Sequence, residues 1–212
     1  MFFADINLIV QFSTNNVATK TTQSYSTRVG STDSFTQPSF SLSNRLGRVA
    51  WNIVYILLFR PSPSFLHSWR SFLLRCFGAR VGKGVHVYPG VKIWAPWNIE
   101  LKDQCGIANG ATLYSQGHIS VGYRAVISQD AYICTGTHAY NLRGQPLITF
   151  PIIIKDFVWV AAGVFVNPGV TIEEGAVIGA RSVVTKNMPP WMICAGHPCK
   201  PIKQRVMQSV NE

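Results

Sequence analysis

The chain has 212 residues, of which 47% are hydrophobic and only 13% charged, with a formal net charge of +10. That balance excludes an intrinsically disordered chain and suits one well-buried domain with appendages. No apolar run approaches the roughly 18–20 residues of a membrane span, and the best candidate, residues 49–59, falls far short.

Residues 13–41 are crowded with Ser, Thr, Gln and Asn, and 1–41 reads as a flexible polar tail. The N-terminus lacks the basic n-region of a signal peptide, although Phe2 to Phe12 is fairly apolar. The five cysteines (Cys76, Cys105, Cys134, Cys194 and Cys199) are odd in number and form no C-x-x-C pair. They are expected to be reduced thiols of a cytoplasmic protein, most of them packing groups.

Residues 42–78 read as a helical pair. Leu46, Val49, Ala50, Ile53, Val54, Leu57 and Leu58 recur at i, i+3, i+4 spacing, with Arg45, Arg48 and Asn52 largely off that stripe. Pro61 ends the first helix. Ser62 is the expected N-cap of the second, with Pro63 at its first position and Gly78 at its end. No Asp or Glu occurs between Ser34 and Ile99, a span that carries Arg45, Arg48, Arg60, Arg70, Arg75, Arg80, Lys83 and Lys92. Such a block suggests an anionic partner: cofactor phosphates, a phosphorylated substrate, or a membrane surface touched by 42–78. It also fits a solvated basic face above a helical cap that shields the end of a solenoid. No nucleic-acid-binding motif accompanies the charge, and no nucleic acid is expected as a partner.

From Val81 onward the sequence moves in sixes. Hexads run from Val81 to Asn98, slip phase over 99–106, resume at Ile107 and again at Val121, and break over 139–153. They are clearest from Ile154 to Thr185. Ile154, Val160, Val166, Ile172, Ile178 and Val184 are aliphatic and β-branched; Val158, Val164, Val170, Ala176 and Ser182 follow four residues on, with Gly163, Gly169 and Gly175 between. A period of six fits neither a 3.6-residue helix nor an alternating strand. It specifies a parallel β-helix in which three hexads close one coil of roughly 18 residues. The aliphatic position faces inward, the small position sits by the corner, and glycine supplies positive φ in the turn. Residues 79–189 form this solenoid, 139–153 protrude as a loop, and 190–212 form a C-terminal tail.

His138 stands apart from His67, His86, His118 and His197. It ends the hexad I-C-T-G-T-H, sits at the root of the insertion, and lies about one coil from Trp159, an aromatic at an outward position. Long loops leaving a rigid scaffold tend to carry function. Cys134 sits in a core-like position, which disfavours it as a covalent nucleophile. Asp130 either orients His138 or caps a turn. The lysines of 186–205, with no acid among them, suit phosphate binding.

Five motifs in order (T-G-T-H-A-Y, D-F-V-W-V-A-A-G, N-P-G-V-T-I, I-G-A-R-S-V-V-T-K and A-G-H-P-C-K) resemble the maltose/galactoside-type O-acetyltransferases of the hexapeptide-repeat family. The helical pair running into F-G-A-R-V-G looks closer to the colanic acid biosynthesis acetyltransferases. The resemblance covers roughly residues 40 to 205. It implies a mainly β, left-handed parallel β-helix and transfer of acetyl from acetyl-CoA to a saccharide hydroxyl, without a metal. His138 matches the general base, and a backbone N–H near Ala162 the oxyanion donor. Trp159, Ala162, Gly163, Ala180, Thr185 and Lys186 would line the channel for the cofactor's pantetheine arm. Lys200, Lys203 and Arg205 would meet its phosphates, with the C-terminal tail closing that site. Asn109, Ser115 and Gln116 fall where the family binds its acceptor. A homotrimer with sites between neighbours is implied, with a free or lipid-linked saccharide of exopolysaccharide or capsule assembly as acceptor. The reduced cysteines point to the cytoplasm, and the basic helical pair either caps the solenoid or holds the protein peripheral to the inner face of the membrane. His197 and Pro201 depart from the pattern, as does Ser115, where Asn is common. Two alternatives remain: N-acetylation of an amino sugar, and a non-catalytic scaffold. A γ-type carbonic anhydrase needs three histidines on zinc, including a closely spaced pair that this chain lacks.

Overall fold

A computed structural model describes residues 27–28 and 33–207. The rest of the tail expected over 1–41 lies outside the described residues. The fold is the mainly β, left-handed parallel β-helix expected from the sequence, preceded by a short helical region. Its strands stack into three parallel faces. The first holds Arg80–Val81, Ile99–Leu101, Ile119–Val121, Ile152–Ile154 and Thr171–Ile172. The second holds His86–Val87, Gly106–Ile107, Val126–Ile127, Trp159–Val160, Val177–Ile178 and Met192–Gly196, and ends on antiparallel Cys199–Gln204. The third holds Lys92–Ile93, Thr112–Tyr114, Tyr132–Cys134, Phe165–Val166 and Val183–Val184.

The inward positions are those that the hexads mark. Ile154, Val160, Val166, Ile172, Ile178 and Val184 are all buried, as are Val158, Val164, Val170, Ala176 and Ser182. Burying one Val or Ile side chain contributes about 1.5–3 kcal/mol, so these stacked columns dominate the core. Gly163, Gly169 and Gly175 take φ of 66°, 81° and 66° at the turns.

Coil length is uneven, and the unevenness sits on one edge. Val81 pairs with Leu101 and Leu101 with Val121, twenty residues a coil, whereas Ile154 pairs with Ile172, eighteen on. The extra residues always fall between the third face and the first. In the first coil they form the 3-10 turn Pro96–Asn98. The phase slip therefore lies at 94–98 rather than 99–106: Ile99, Leu101 and Cys105 are buried core positions already back in register.

At the same edge two coils later the chain leaves the solenoid as a hairpin, Gly136–His138 against Leu147–Thr149. Ile152–Ile154, which the hexad break assigned partly to a loop, is a coil strand paired with Ile119–Val121. Thr27–Arg28 adds a third strand, antiparallel to Leu147–Thr149. This part of the tail is therefore strand.

Helix α1 spans Leu42–Val54 and continues as a π-helical turn, Tyr55–Phe59; α2 spans His67–Cys76. Ser41 caps α1 by accepting from the Asn44 N–H at 3.3 Å. The face of α1 that packs on the coil is aromatic. Trp51 and Phe59 are fully buried, and Trp51 Nε1 donates to the Ile93 carbonyl at 2.8 Å. The aliphatic stripe read from the sequence points the other way: Leu46, Val49, Ile53, Leu57 and Leu58 are exposed. Helical period cannot tell which of two apolar stripes meets the core. Ser62 does not cap α2, which starts at His67. Its Oγ donates to the Phe59 carbonyl and accepts from Arg70 Nη1 at 2.8 Å. Arg70 is fully buried and also donates to the Val87, Pro63 and Ser64 carbonyls, bolting the inter-helix loop to the first coil.

Candidate active site

His138 ends the first strand of the hairpin and is exposed. Its Nδ1 lies 2.7 Å from the Gln145 carbonyl oxygen at the hairpin tip. A carbonyl only accepts, so Nδ1 carries the ring proton and the Nε2 lone pair is left available. Gln145 holds φ at +40°, a left-handed conformation unusual for a side chain larger than Gly. Ser34 fastens the same carbonyl from the N-terminal side. Its Oγ donates to the Gln145 oxygen at 2.9 Å and its N–H to the Gly144 oxygen at 2.9 Å. Neither Ser34 nor Gln145 stands out in the sequence: Gln145 acts through its backbone carbonyl, and Ser34 is one of many hydroxyl residues in a polar segment.

The acceptor-side candidates separate. Gln116 lies in the turn between the third and first faces, one coil before the hairpin. Its Nε2 donates to the Tyr114 hydroxyl at 3.0 Å, and its Oε1 occupies the space a Cβ on Gly136 would need. Ser115 is fully buried; its Oγ accepts from the Ala95 N–H at 3.0 Å and donates to the Ala95 carbonyl at 2.9 Å. That side chain is a brace between coils and offers nothing to an acceptor. Asn109 lies in the second-to-third-face turn, away from His138, with Oδ1 accepting from the Gly90 N–H at 2.9 Å. Asp130 sits in the next coil of the same turn, at φ +57° against Gly110. It is a turn residue, and the Gln145 carbonyl is what orients His138.

The cofactor candidates divide between two edges. Trp159 is half exposed on the second face, and its Nε1 donates to Ser128 Oγ at 2.9 Å. Ala162, Gly163 and Ala180 continue along the edge between the second and third faces. The Ala161 N–H donates to the Ile178 oxygen and the Gly163 N–H to the Gln129 oxygen, while the Ala162 N–H has no protein acceptor among the described residues. Lys200 and Lys203 are exposed on the final antiparallel strand, whose turn is tied to this edge by the Gly196 N–H on Ser182 Oγ at 3.1 Å. Thr185 and Lys186 are exposed on the other edge, below His138. Arg205 is already committed: its Nη1 donates to the Phe157 and Gly175 carbonyls, both at 2.9 Å.

Cys134 is half-buried, and burial raises its thiol pKa; its Sγ donates to the Gly136 carbonyl at 3.4 Å. A raised thiol is a poor nucleophile. Among the described residues no three His, Cys, Asp or Glu side chains cluster as metal ligands.

The sequence matches the family model "Bacterial transferase hexapeptide (six repeats)" over residues 151–186. Over 156 residues, 74% of this chain and 86% of the other, it is 44% identical to WcaF of Escherichia coli K12, a candidate colanic acid biosynthesis acetyltransferase. The chain belongs to the hexapeptide-repeat acetyltransferase family. Within that family, the structure of a maltose O-acetyltransferase from Clostridium difficile superposes with a TM-score of 0.71 at 28% identity, covering 79% of this chain and 90% of that one. A galactoside acetyltransferase in complex with coenzyme A superposes with a TM-score of 0.65 at 27% identity, covering 77% and 83%. The hexapeptide-repeat core thus accounts for most of the chain.

Proposed function

We propose that the protein transfers the acetyl group of acetyl-CoA to a hydroxyl of a saccharide in exopolysaccharide or capsule assembly. The observation that carries this reading is the His138 Nδ1 contact with the Gln145 carbonyl, which supports Nε2 as the base. His138 Nε2 takes the proton of the acceptor hydroxyl as its oxygen attacks the thioester carbonyl. The Ala162 N–H receives the developing oxyanion, and His138 returns the proton to the departing thiol. Both substrates are held together, so no covalent enzyme intermediate is needed.

The donor groups suit coenzyme A. The Trp159 ring faces solvent beside the small Ala162, Gly163 and Ala180, which leave the edge open to a slender arm. Lys200 and Lys203 supply cations for its phosphates. His138, Gln116, Thr185 and Lys186 lie on one edge of the solenoid, while Trp159, Ala162, Gly163, Ala180 and Lys200 lie along another. This supports a site completed between copies, the first edge of one meeting the second edge of the next. Such a head-to-tail contact closes into a ring, here a homotrimer with three sites. The enzyme works in the cytoplasm.

Calorimetric titration with acetyl-CoA tests the reading without knowledge of the acceptor. Binding near one equivalent per chain, weakened about tenfold or more by Lys200→Ala with Lys203→Ala, is expected. A folded protein that binds no acetyl-CoA at millimolar concentration is instead a scaffold.

A further inference from the structure

The helical region presents a continuous apolar face to solvent. Leu42, Leu46, Val49, Ile53, Ile56, Leu57 and Leu58 are each between 45% and 66% exposed. Phe65, Leu66, Trp69 and Phe72 extend the surface from the loop and α2, with the Trp69 and Phe72 rings stacked at 5.8 Å. A soluble monomer seldom exposes so many large apolar side chains in one region. The packing of α1 needs none of them, because its buried contacts come from Trp51 and Phe59 on the opposite side.

Charge decides among the possible occupants. Arg45 and Arg60 stand exposed toward the two ends of the aliphatic stripe, and no Asp or Glu lies between Ser34 and Ile99. A second copy meeting this face through a two-fold axis would bring acid-free, cationic surfaces together, a juxtaposition that costs several kcal/mol. An anionic bilayer supplies both an apolar interior for the stripe and the missing negative charge. Phe65 and Trp69 then sit at headgroup depth, where aromatic rings are favoured. No helix among the described residues is long and apolar enough to cross a membrane. The stripe therefore lies in the interface plane.

We infer that α1, the π-helical turn and residues 65–72 form a peripheral docking surface for a bilayer containing anionic lipid. The inference does not depend on the acetyl transfer chemistry. It is tested by flotation of the full chain with vesicles of phosphatidylcholine and phosphatidylglycerol at about 7:3, against phosphatidylcholine alone. Binding is expected to the anionic vesicles, weakening as salt rises from about 50 to about 500 mM. Ile53→Asp with Leu57→Asp should lower the bound fraction by about tenfold or more. Arg45→Glu with Arg60→Glu should reduce affinity by about fivefold or more per arginine. Melting curves and size exclusion establish that the variants keep the wild-type fold and assembly. The inference is overturned if wild type ignores anionic vesicles, or if the folded variants bind like wild type. It is also overturned if the aspartate variant changes the oligomeric state, which would assign the face to a second copy. A lowered melting temperature without a change in lipid binding would assign the face to another segment of the chain and overturn it as well.

Discussion

Two edges of one solenoid behave differently. Between the second and third faces every coil turns in the same few residues, and Gln129, Ala162 and Ala180 each leave an N–H without a protein acceptor among the described residues. Between the third face and the first, the turns at 94–98 and 114–118 are each two residues longer than in an eighteen-residue coil, and the next one opens into the hairpin that carries His138. The regular edge keeps the same turn length in every coil, so it offers a repeating backbone and small side chains. The irregular edge is free of ladder constraints and can place an imidazole, a carbonyl and a bracing serine outside the prism. On the proposed function, cofactor binding and proton transfer fall to different corners, and a site that needs both would draw them from two copies.

The sharpest way to break that comparison is to disable the edges separately and mix them. His138→Ala alone should reduce the rate by about 10²–10⁴-fold while acetyl-CoA affinity holds within about twofold. Trp159→Ala with Lys200→Ala should raise the KM for acetyl-CoA strongly. Co-refolding the two inactive proteins at equal ratio should restore about a quarter of the sites, because a wild-type His138 edge then meets a wild-type Trp159 edge in one arrangement of four. No recovery in mixed trimers would place the whole site within one chain. A smaller effect separates brace from ligand: Ser115→Ala leaves the Ala95 N–H without its acceptor and should cost about 1–3 kcal/mol in a denaturant titration. The KM for the acceptor should stay unchanged; a raised KM in a protein of unaltered stability would return Ser115 to the acceptor site. The smallest change is expected for Ser34→Ala, which frees the Gln145 carbonyl from one of its two donors. A fall in kcat of about threefold, with KM for acetyl-CoA unaltered and recovery in Ser34→Thr, fits the loss of one net hydrogen bond of about 0.5–1.5 kcal/mol. An unaltered kcat would leave Gln145 held by the hairpin alone.

Much of the solenoid is legible in the sequence. The columns from Ile154 to Val184 follow from period alone, because a coil that stacks on itself must repeat its inward residue. The corner slip is harder to place because Ile99 and Leu101 are as aliphatic as any hexad residue, while the turn that absorbs the extra residues is marked only by Pro96 and Asn98. On α1, period finds the Leu46–Ile53 stripe but cannot choose between it and the aromatic face of Trp51 and Phe59. Volume and a single indole hydrogen bond to the Ile93 carbonyl make that choice. Within the candidate site, His138, Gln116 and Trp159 stand out as side-chain types in suggestive places. Asn109, Ser115 and Asp130 are suggestive in the same way, yet turns and coil-to-coil bracing claim them. The Gln145 carbonyl lies beyond the reach of sequence because any residue could supply it.

The hairpin at residues 136–149 also behaves as a cassette. The chain completes the strand Tyr132–Cys134 before entering it and begins Ile152–Ile154 soon after leaving, so both ladders close regardless of what lies between. A segment of different length or composition can be spliced at that junction while the prism keeps its register. On the proposed function, the stretch between His138 and Gln145 can vary in length while both of those residues stay in place, so the surface beside the base can change without disturbing the coils.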